Sequence, residues 1–173
     1  MEKGFGLKGV SLVQCINPYP RFNKWHIRWD VQPVLDEEGN ETDEVTFKYK
    51  LIEHHKPTLA EIKEIVLADM NAEIDKKIVE GFEWNGMAVW LSSENQFNYK
   101  AAYDLAVQTG GANLPVMFKF GTTEEPMYHE FKDVEELSDF YTKAMAYINN
   151  QLAEGWAKKD SVDWSPYALI LDK

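Results

Sequence analysis

The sequence predicts an α+β fold, in which an antiparallel N-terminal β-hairpin or meander precedes a long amphipathic helix and a small α+β domain. Apolar and polar residues alternate with a period of two in two early segments, as in half-buried strands. After Thr58 apolar residues recur every four positions, which indicates a helix, and Asn85-Gly86 then marks a tight hairpin turn. We therefore predict a β-rich module over 1–56, a helix over 57–81, and a domain over 82–173 with the order β-hairpin, helix, β-hairpin, helix.

Composition and charge limit the classes of protein to consider. The only cysteine, Cys15, excludes an intrachain disulfide and a metal site built on several cysteines, which favours a reducing compartment. A formal net charge of −11 opposes approach to nucleic acid or to an anionic membrane surface. The N-terminus lacks the order of a signal peptide, and no apolar run approaches the roughly 20 residues that span a bilayer. We expect a protein made in the cytoplasm that binds neither nucleic acid nor membrane.

The N-terminal module is predicted to contain three strands. Residues 9–16 form the first, which ends where two prolines interrupt hydrogen bonding. Strict alternation over 25–31 and 45–51 predicts an antiparallel hairpin, and the acidic segment between them predicts a mobile tip. The polar face of this hairpin is expected to bring basic side chains close to Asp30 across the pair, namely those of Arg28, Lys48 and Lys50.

The long helix has clear start and stop signals. Thr58 and Glu61 have capping-box spacing, and Gly81 ends the pattern. The apolar stripe between them comprises Ile62, Val66, Met70, Ile74 and Ile78. The helix is either a connector between the N-terminal sheet and the next domain or half of a helix–helix interface. Both uses bury the same stripe, so Val66 and Met70 are candidate contact residues.

A second hairpin and a second helix follow. The Asn-Gly turn pairs residues 82–84 with 87–91, because both turn residues tolerate positive φ. Ser93 and Gln96 have capping-box spacing and predict that a helix begins there. This helix is expected to end at Gly110-Gly111 and to place three apolar residues on one face, namely Phe97, Ala101 and Leu105.

The last part of the chain repeats the pattern of a hairpin followed by a helix. Residues 116–120 and 127–131 predict two strands joined by a polar turn. A final helix is predicted to begin at Asp133 and to end before Gly155. Its apolar side comprises Leu137, Phe140, Tyr141, Ala144, Tyr147, Ile148 and Leu152. The residues after this helix are either turn-like or form a late strand over 167–171.

No arrangement of residues in the sequence marks a catalytic, cofactor or metal site. Adjacent His54 and His55 would point to opposite faces of a strand and make a poor chelate. No G-x-S-x-G turn indicates a nucleophile, and Gly110-Gly111 follows a helix rather than opening one, unlike a phosphate-binding loop. We therefore predict no catalytic residues, no cofactor and no metal, and a protein that is not an enzyme.

Aromatic side chains around the central hairpin are the best candidates for recognition. Trp84 and Trp90 lie on either side of the turn, and one is expected in the core and the other on the surface. An exposed tryptophan stacks on a sugar or anchors a protein partner. Together with Val66 and Met70, these tryptophans form the predicted interaction surface.

Residues 58–160 resemble an uncharacterised domain family found in phage tail and prophage-encoded proteins. The matching features, in chain order, are the long helix that runs into Gly81, the aromatic hairpin of Phe82, Trp84 and Gly86, the strand-to-helix passage from Trp90 to Phe97, and the second strand pair that leads to Asp133. The family has an acidic strand-to-helix passage, where this chain has Ser92-Ser93. It also has a tryptophan before the second pair, where this chain has Phe118 or Phe120.

The resemblance implies a structural or assembly role in a phage tail and carries no catalytic residues. It implies contacts with other tail proteins or with a second copy of the chain, with the N-terminal sheet as an attachment module and the helix after Thr58 as a contact surface. The protein would be made in the bacterial cytoplasm and reach the virion tail.

The alternative is a free-standing module that binds glycan or peptide through exposed aromatics. An enzyme would require a concave pocket with convergent polar groups.

Overall fold

The computed structural model describes residues 2–19 and 21–171 and has the predicted α+β fold. Its elements, in chain order, are β1 (Glu2–Leu7), β2 (Val13–Asn17), β3 (Lys24–Leu35), β4 (Glu41–Glu53), α1 (Leu59–Glu80), β5 (Phe82–Trp84), β6 (Met87–Val89), α2 (Ser93–Thr109), β7 (Val116–Gly121), β8 (Pro126–Phe131), α3 (Val134–Asp160) and α4 (Ser165–Leu171). The chain divides into two compact units. One comprises the residues up to Asp69 together with those from Ser161 onward, and the other comprises Met70–Asp160.

The first unit is built on an antiparallel sheet with the strand order β1-β4-β3-β2. Strand β1 was not predicted, and the predicted strand over 9–16 is wrong in its first half, where Gly9 adopts a φ of 84°. Gly4 and Gly6 interrupt the alternation of apolar and polar residues that would have indicated a strand at β1. They are nevertheless required, because a Cβ atom would lie 2.7 Å from the Phe47 ring at Gly4 and 3.1 Å from it at Gly6.

The β3–β4 hairpin confirms the prediction from alternation, with one correction. A bulge follows Trp29, and Asp30 there has a φ of 52°. The Lys48 Nζ atom lies 3.6 Å from Asp30 Oδ2, as expected. Arg28, however, is buried rather than placed on a solvated face. Its guanidinium donates to the Ser11 carbonyl at 2.7 Å and to Gln14 Oε1 at 3.1 Å, which satisfies two of its nitrogens inside the unit.

Hydrogen bonds fix the start of α1 and the position of α4 in this unit. The capping box that begins α1 is confirmed, because Glu61 N donates to Thr58 Oγ1 and Thr58 N donates to Glu61 Oε2 at 2.7 Å. Residues 167–171 lie in helix α4, so a late strand there is wrong. Asp163 accepts from Ser165 N at the start of α4, and the buried Tyr167 hydroxyl donates to the Arg28 carbonyl at 2.8 Å. The final segment therefore packs in the N-terminal unit.

The second unit contains the two predicted hairpins, β5–β6 and β7–β8. Asn85 and Gly86 have φ values of 50° and 75°, as the predicted tight turn requires. Helix α2 is capped by Ser92, whose side chain accepts from Asn95 N, so the predicted cap at Ser93 is wrong by one residue. Its other end confirms the prediction, because Gly110 is the left-handed C-cap.

An aromatic core holds the second unit together. Its buried aromatic members are Phe82, Trp84, Tyr99, Phe120, Phe131 and Phe140, and the partly buried Phe118 packs against them. Tyr99 packs against Phe118 and Phe140 with ring centroids 4.8 and 5.0 Å apart, and this contact sets the rotation of α2. Consequently α2 buries Tyr99 and Ala106, whereas the apolar face predicted to carry Phe97, Ala101 and Leu105 points to solvent. The predicted apolar side of α3 is confirmed at Leu137, Phe140, Ala144 and Ile148.

Helix α3 continues through Gly155 to Asp160, so the predicted helix stop is wrong. A glycine inside a helix weakens it relative to alanine. Here the absence of a side chain has a packing role, because a Cβ atom on Gly155 would lie 2.3 Å from Ile74 Cδ1. The glycine thus permits close approach between α3 and the C-terminal part of α1 within this unit.

Candidate functional site

The structure places the four predicted interaction residues in different surroundings. Trp84 is 2% exposed, and Val66 and Met70 are also buried, so none of these three contributes to the surface of the chain. Trp90 is 50% exposed. The expected division between a core tryptophan and a surface tryptophan is therefore found. The apolar stripe of α1 packs within the chain at Val66 and Met70, so these two side chains are not exposed to a partner.

Trp84 is a structural residue of the aromatic core. Its ring packs between Phe131 and Phe140, with centroids 5.3 and 5.4 Å away. Its indole N–H donates to Asp139 Oδ2 at 3.1 Å. Hydrogen bonds from Lys143 and then from Trp84 lower the pKa of Asp139 below its ordinary value. This arrangement satisfies the polar end of a buried tryptophan and leaves no face for a ligand.

Trp90 is presented to solvent by a firmly held backbone. The Asn95 side-chain amide donates to the Trp90 carbonyl at 2.8 Å, and the Gln96 amide donates to the Leu91 carbonyl at 2.7 Å. Leu91 N in turn donates to the Val79 carbonyl at 2.9 Å. The first turn of α2 thus caps the end of the β5–β6 hairpin. The half-exposed indole ring therefore extends from a backbone segment in which the carbonyl groups of Trp90 and Leu91 are both held by hydrogen bonds.

A cleft of about 530 Å³ opens beside Trp90 in the second unit. It lies between residues 88–90, at the end of strand β6, and residues 119–123, at the end of β7. These strands belong to separate two-stranded sheets, so no ladder of backbone hydrogen bonds closes the gap between them. Glu80 and Asn95 complete the wall. The volume falls within the range of about 300 to 1,000 Å³ that is usual for small-molecule sites.

The cleft combines one aromatic face with several groups that form hydrogen bonds. Trp90 offers a ring for stacking, Glu80 and Lys119 offer opposite charges, and Asn95, Thr122 and Thr123 offer amide and hydroxyl groups. Stacking on an indole together with hydroxyl and amide hydrogen bonds is the chemistry by which proteins bind sugars and peptides. The arrangement is therefore suited to non-covalent recognition.

The outward face of α2 is a second exposed feature that the sequence analysis misplaced. Phe97 is 71% exposed and Leu105 is 47% exposed, with Ala101 between them on the same face. Four-residue spacing correctly grouped these residues on one side of the helix. It did not show which side is buried, because the tyrosines and alanines of α2 supply an alternative apolar face. An exposed apolar group of this kind is typical of a contact surface.

A buried polar cluster in the first unit was also missed. Asp69 Oδ2 accepts from Trp29 Nε1 at 2.9 Å and from Lys48 Nζ at 2.8 Å. Burial raises the pKa of Asp69, but the hydrogen bonds from Lys48 and Trp29 outweigh it and the pKa lies below its ordinary value. Asp69 lies three residues after Val66 and directly before Met70, so an acid beside the apolar stripe was the available signal.

Comparison with known proteins identifies a family over the second part of the chain. The profile described as Domain of unknown function (DUF4376) matches residues 61–172. The chain belongs to the DUF4376 family. The DUF4376 match covers the Trp90 cleft and the exposed face of α2, whereas strands β1 to β4 lie before it. No curated protein and no solved structure matches the chain. The resemblance to an uncharacterised family is thus confirmed as DUF4376 membership.

Over residues 2–19 and 21–171, none of the helices has the length and apolar character needed to cross a membrane. Within the same part of the DUF4376 chain, no three side chains of His, Cys, Asp or Glu converge in a way that could hold a metal ion.

Proposed function

We propose that the protein is a phage- or prophage-tail-associated structural or assembly protein without catalytic activity, which acts through protein–protein contacts. The resemblance of residues 58–160 to domains of phage tail and prophage-encoded proteins supports this proposal, whereas the matched family itself is described only as a domain of unknown function. Its partners would be other tail proteins or further copies of itself. It would be made in the bacterial cytoplasm and reach the virion tail.

The observation that carries the proposal is the exposed apolar face of α2 within the family-matched segment. Phe97 and Leu105 leave large apolar areas in water at four-residue spacing about Ala101. Burial of such area against a partner is favourable by about 25 cal/mol per Å². Phe97 and Leu105 would then be the anchor residues that bind in a hydrophobic groove of a tail protein.

The test compares two substitutions on α2 in phage-producing cells. Phe97→Asp should reduce the amount of the chain in gradient-purified, nuclease-treated particles, measured by immunoblot against the major tail protein. Val107→Asp is the matched control, because Val107 lies on the same helix, is comparably exposed, and is not on the face of Phe97 and Leu105. Equal particle association of both variants would refute the role of this face. Absence of the unmodified chain from particles that are demonstrably present would refute the virion location.

The cleft beside Trp90 favours a second candidate function, a module that binds glycan or peptide. Trp90 is half-exposed at the cleft, and amide, hydroxyl and charged groups surround it. Calorimetric titration with glycan and peptide panels tests this candidate. Saturable binding that Trp90→Ala removes and Trp156→Ala retains would support it, because Trp156 is similarly exposed but does not line the cleft.

A further inference from the structure

Strand β1 is an edge strand whose outer side is open. It pairs with β4 along its whole length from Glu2 to Leu7 without a register shift. No other strand within residues 2–19 and 21–171 pairs with its outer side. Edge strands are usually protected by prolines, bulges, charges or a covering element. The opposite edge, β2, has a bulge between Cys15 and Asn17, whereas β1 is regular and carries Lys3 as its only basic residue.

The register shows which backbone groups of β1 face outward. Lys8 N donates to the Asp43 carbonyl at 2.9 Å, which continues the β1–β4 register by one hydrogen-bonded pair. Because such pairs alternate along an antiparallel ladder, the amides and carbonyls of Lys3, Phe5 and Leu7 point away from β4. The Leu7 carbonyl confirms this direction, since it accepts from Val10 N in the following turn at 3.1 Å.

The side chains of the same residues are also exposed. Phe5 is 75% exposed and Leu7 is 67% exposed, and alternation places them on one face of β1. The intervening glycines leave the opposite face to the Phe47 ring. Apart from the Leu7 carbonyl, which already accepts from Val10 N, the outward backbone groups of this six-residue strand therefore lie open beside its apolar side chains. This combination favours the addition of another strand.

We propose that β1 pairs antiparallel with β1 of a second copy of the chain, about a two-fold axis at Phe5. In this register Phe5 lies opposite Phe5 of the second copy and Lys3 lies opposite Leu7. Outward-facing residues thus meet outward-facing residues along the whole strand, and two four-stranded sheets join into one. The interface is isologous, as in most homodimers. The interface lies outside the family-matched residues and specifies how the chain would contact a further copy of itself, without depending on a location in a tail.

Charge selects this register among those that the backbone permits. Pairing about Phe5 brings Glu2 opposite Lys8 of the second copy at both ends of the strand. Pairing about Gly4 or Gly6 shortens the paired length of the two strands. It also leaves Glu2 and Lys8 without an oppositely charged residue across the axis. Lys8 also reaches Glu41 at 3.2 Å, but both side chains of that pair are well exposed, so the pair is weak and exchangeable.

Sedimentation equilibrium of the full chain tests the proposal. We expect a reversible dimer whose dissociation constant rises at least about tenfold in Phe5→Pro, which removes two hydrogen bonds at the axis. Proline is tolerated on an edge strand where its nitrogen faces solvent, so the fold should survive, as circular dichroism will show. Phe22→Ala is the matched control, because it removes an exposed aromatic group of the same unit away from β1.

Charge reversal tests the register without disturbing the backbone. Glu2→Lys and Lys8→Glu should each weaken the dimer severalfold, and an equimolar mixture of the two variants should restore association, because each charge then meets its opposite. A wild-type chain that remains monomeric at about 1 mM, well above a micromolar dissociation constant, would overturn the proposal. A dimer that Phe5→Pro and the single charge reversals leave unchanged would overturn it as well.

Discussion

The indole N–H of Trp29 donates to the Asp69 carboxylate at 2.9 Å and joins strand β3 to helix α1 inside the first unit. The same carboxylate oxygen accepts from Lys48 Nζ, so one acid satisfies two buried donors on adjacent strands. Removal of this acid leaves the buried indole N–H unpaired and takes from the nearly buried Lys48 ammonium group its closer carboxylate, and both losses are costly.

We therefore expect Asp69→Ala to lower the free energy of unfolding by about 3 kcal/mol. Asp69→Asn keeps an acceptor for Trp29 and should cost less than the alanine variant. Urea unfolding followed by tryptophan fluorescence at pH 7 measures both changes. Equal losses in the two variants would show that the hydrogen bond to Trp29 contributes nothing.

Glu61 gives the protein a pH dependence in the acid range. Hydrogen bonds from the Thr58 amide and hydroxyl, and then from His55, lower its pKa from 4.5 to about 2. A depressed folded-state pKa adds stability above the unfolded value, and this stability is lost as pH falls from about 4.5 towards about 2. Thermal unfolding between pH 6 and pH 2 should be less pH-dependent in Glu61→Gln than in the native chain. Parallel curves would contradict the assignment.

Gly155→Ala should destabilise the second unit although alanine favours helices. The new Cβ atom would overlap Ile74 Cδ1, and overpacking of this kind costs about 1–3 kcal/mol. Ile74→Val shortens the side chain that causes the overlap, so the double variant should recover part of the loss. A double-mutant cycle by chemical denaturation measures the coupling. Strict additivity would show that the two residues do not share this contact.

Trp84 and Trp90 should respond in opposite ways to truncation. Trp84→Ala empties part of the aromatic core, so we expect a loss of about 3–5 kcal/mol. Trp90→Ala removes a half-exposed ring and should change stability by less than about 1 kcal/mol. Denaturation midpoints of the two variants measure this difference. Comparable losses of unfolding free energy would place Trp90 in the core.

Local chemistry explains what the sequence predicted correctly. Capping at Thr58 and Glu61, the Asn85-Gly86 turn and the stop at Gly110 all depend on residues within a few positions of one another. Such signals need no knowledge of distant neighbours. The α+β class and the order of the central elements followed from them.

Tertiary contacts explain what the sequence did not predict. The rotation of α2 is set by Tyr99 against Phe118 and Phe140, although Phe97 and Leu105 offered an equally good helical stripe. Gly155 was predicted to end the helix because the contact that explains a glycine at this position is made with Ile74, a residue distant in sequence. The candidate site was predicted only at Trp90, since the cleft depends on how two separate hairpins are placed.

The glycines of β1 restrict how this strand can change in evolution. Phe47 occupies the space that a side chain would need at both Gly4 and Gly6, so charged replacements there would displace a buried ring. Solubility of the edge can be adjusted only at the alternate positions, where Lys3, Phe5 and Leu7 stand. In homologues that keep both glycines but have lysine or glutamate in place of Phe5 and Leu7, the four-stranded sheet would be preserved. A further strand would no longer pair with the outer edge of β1.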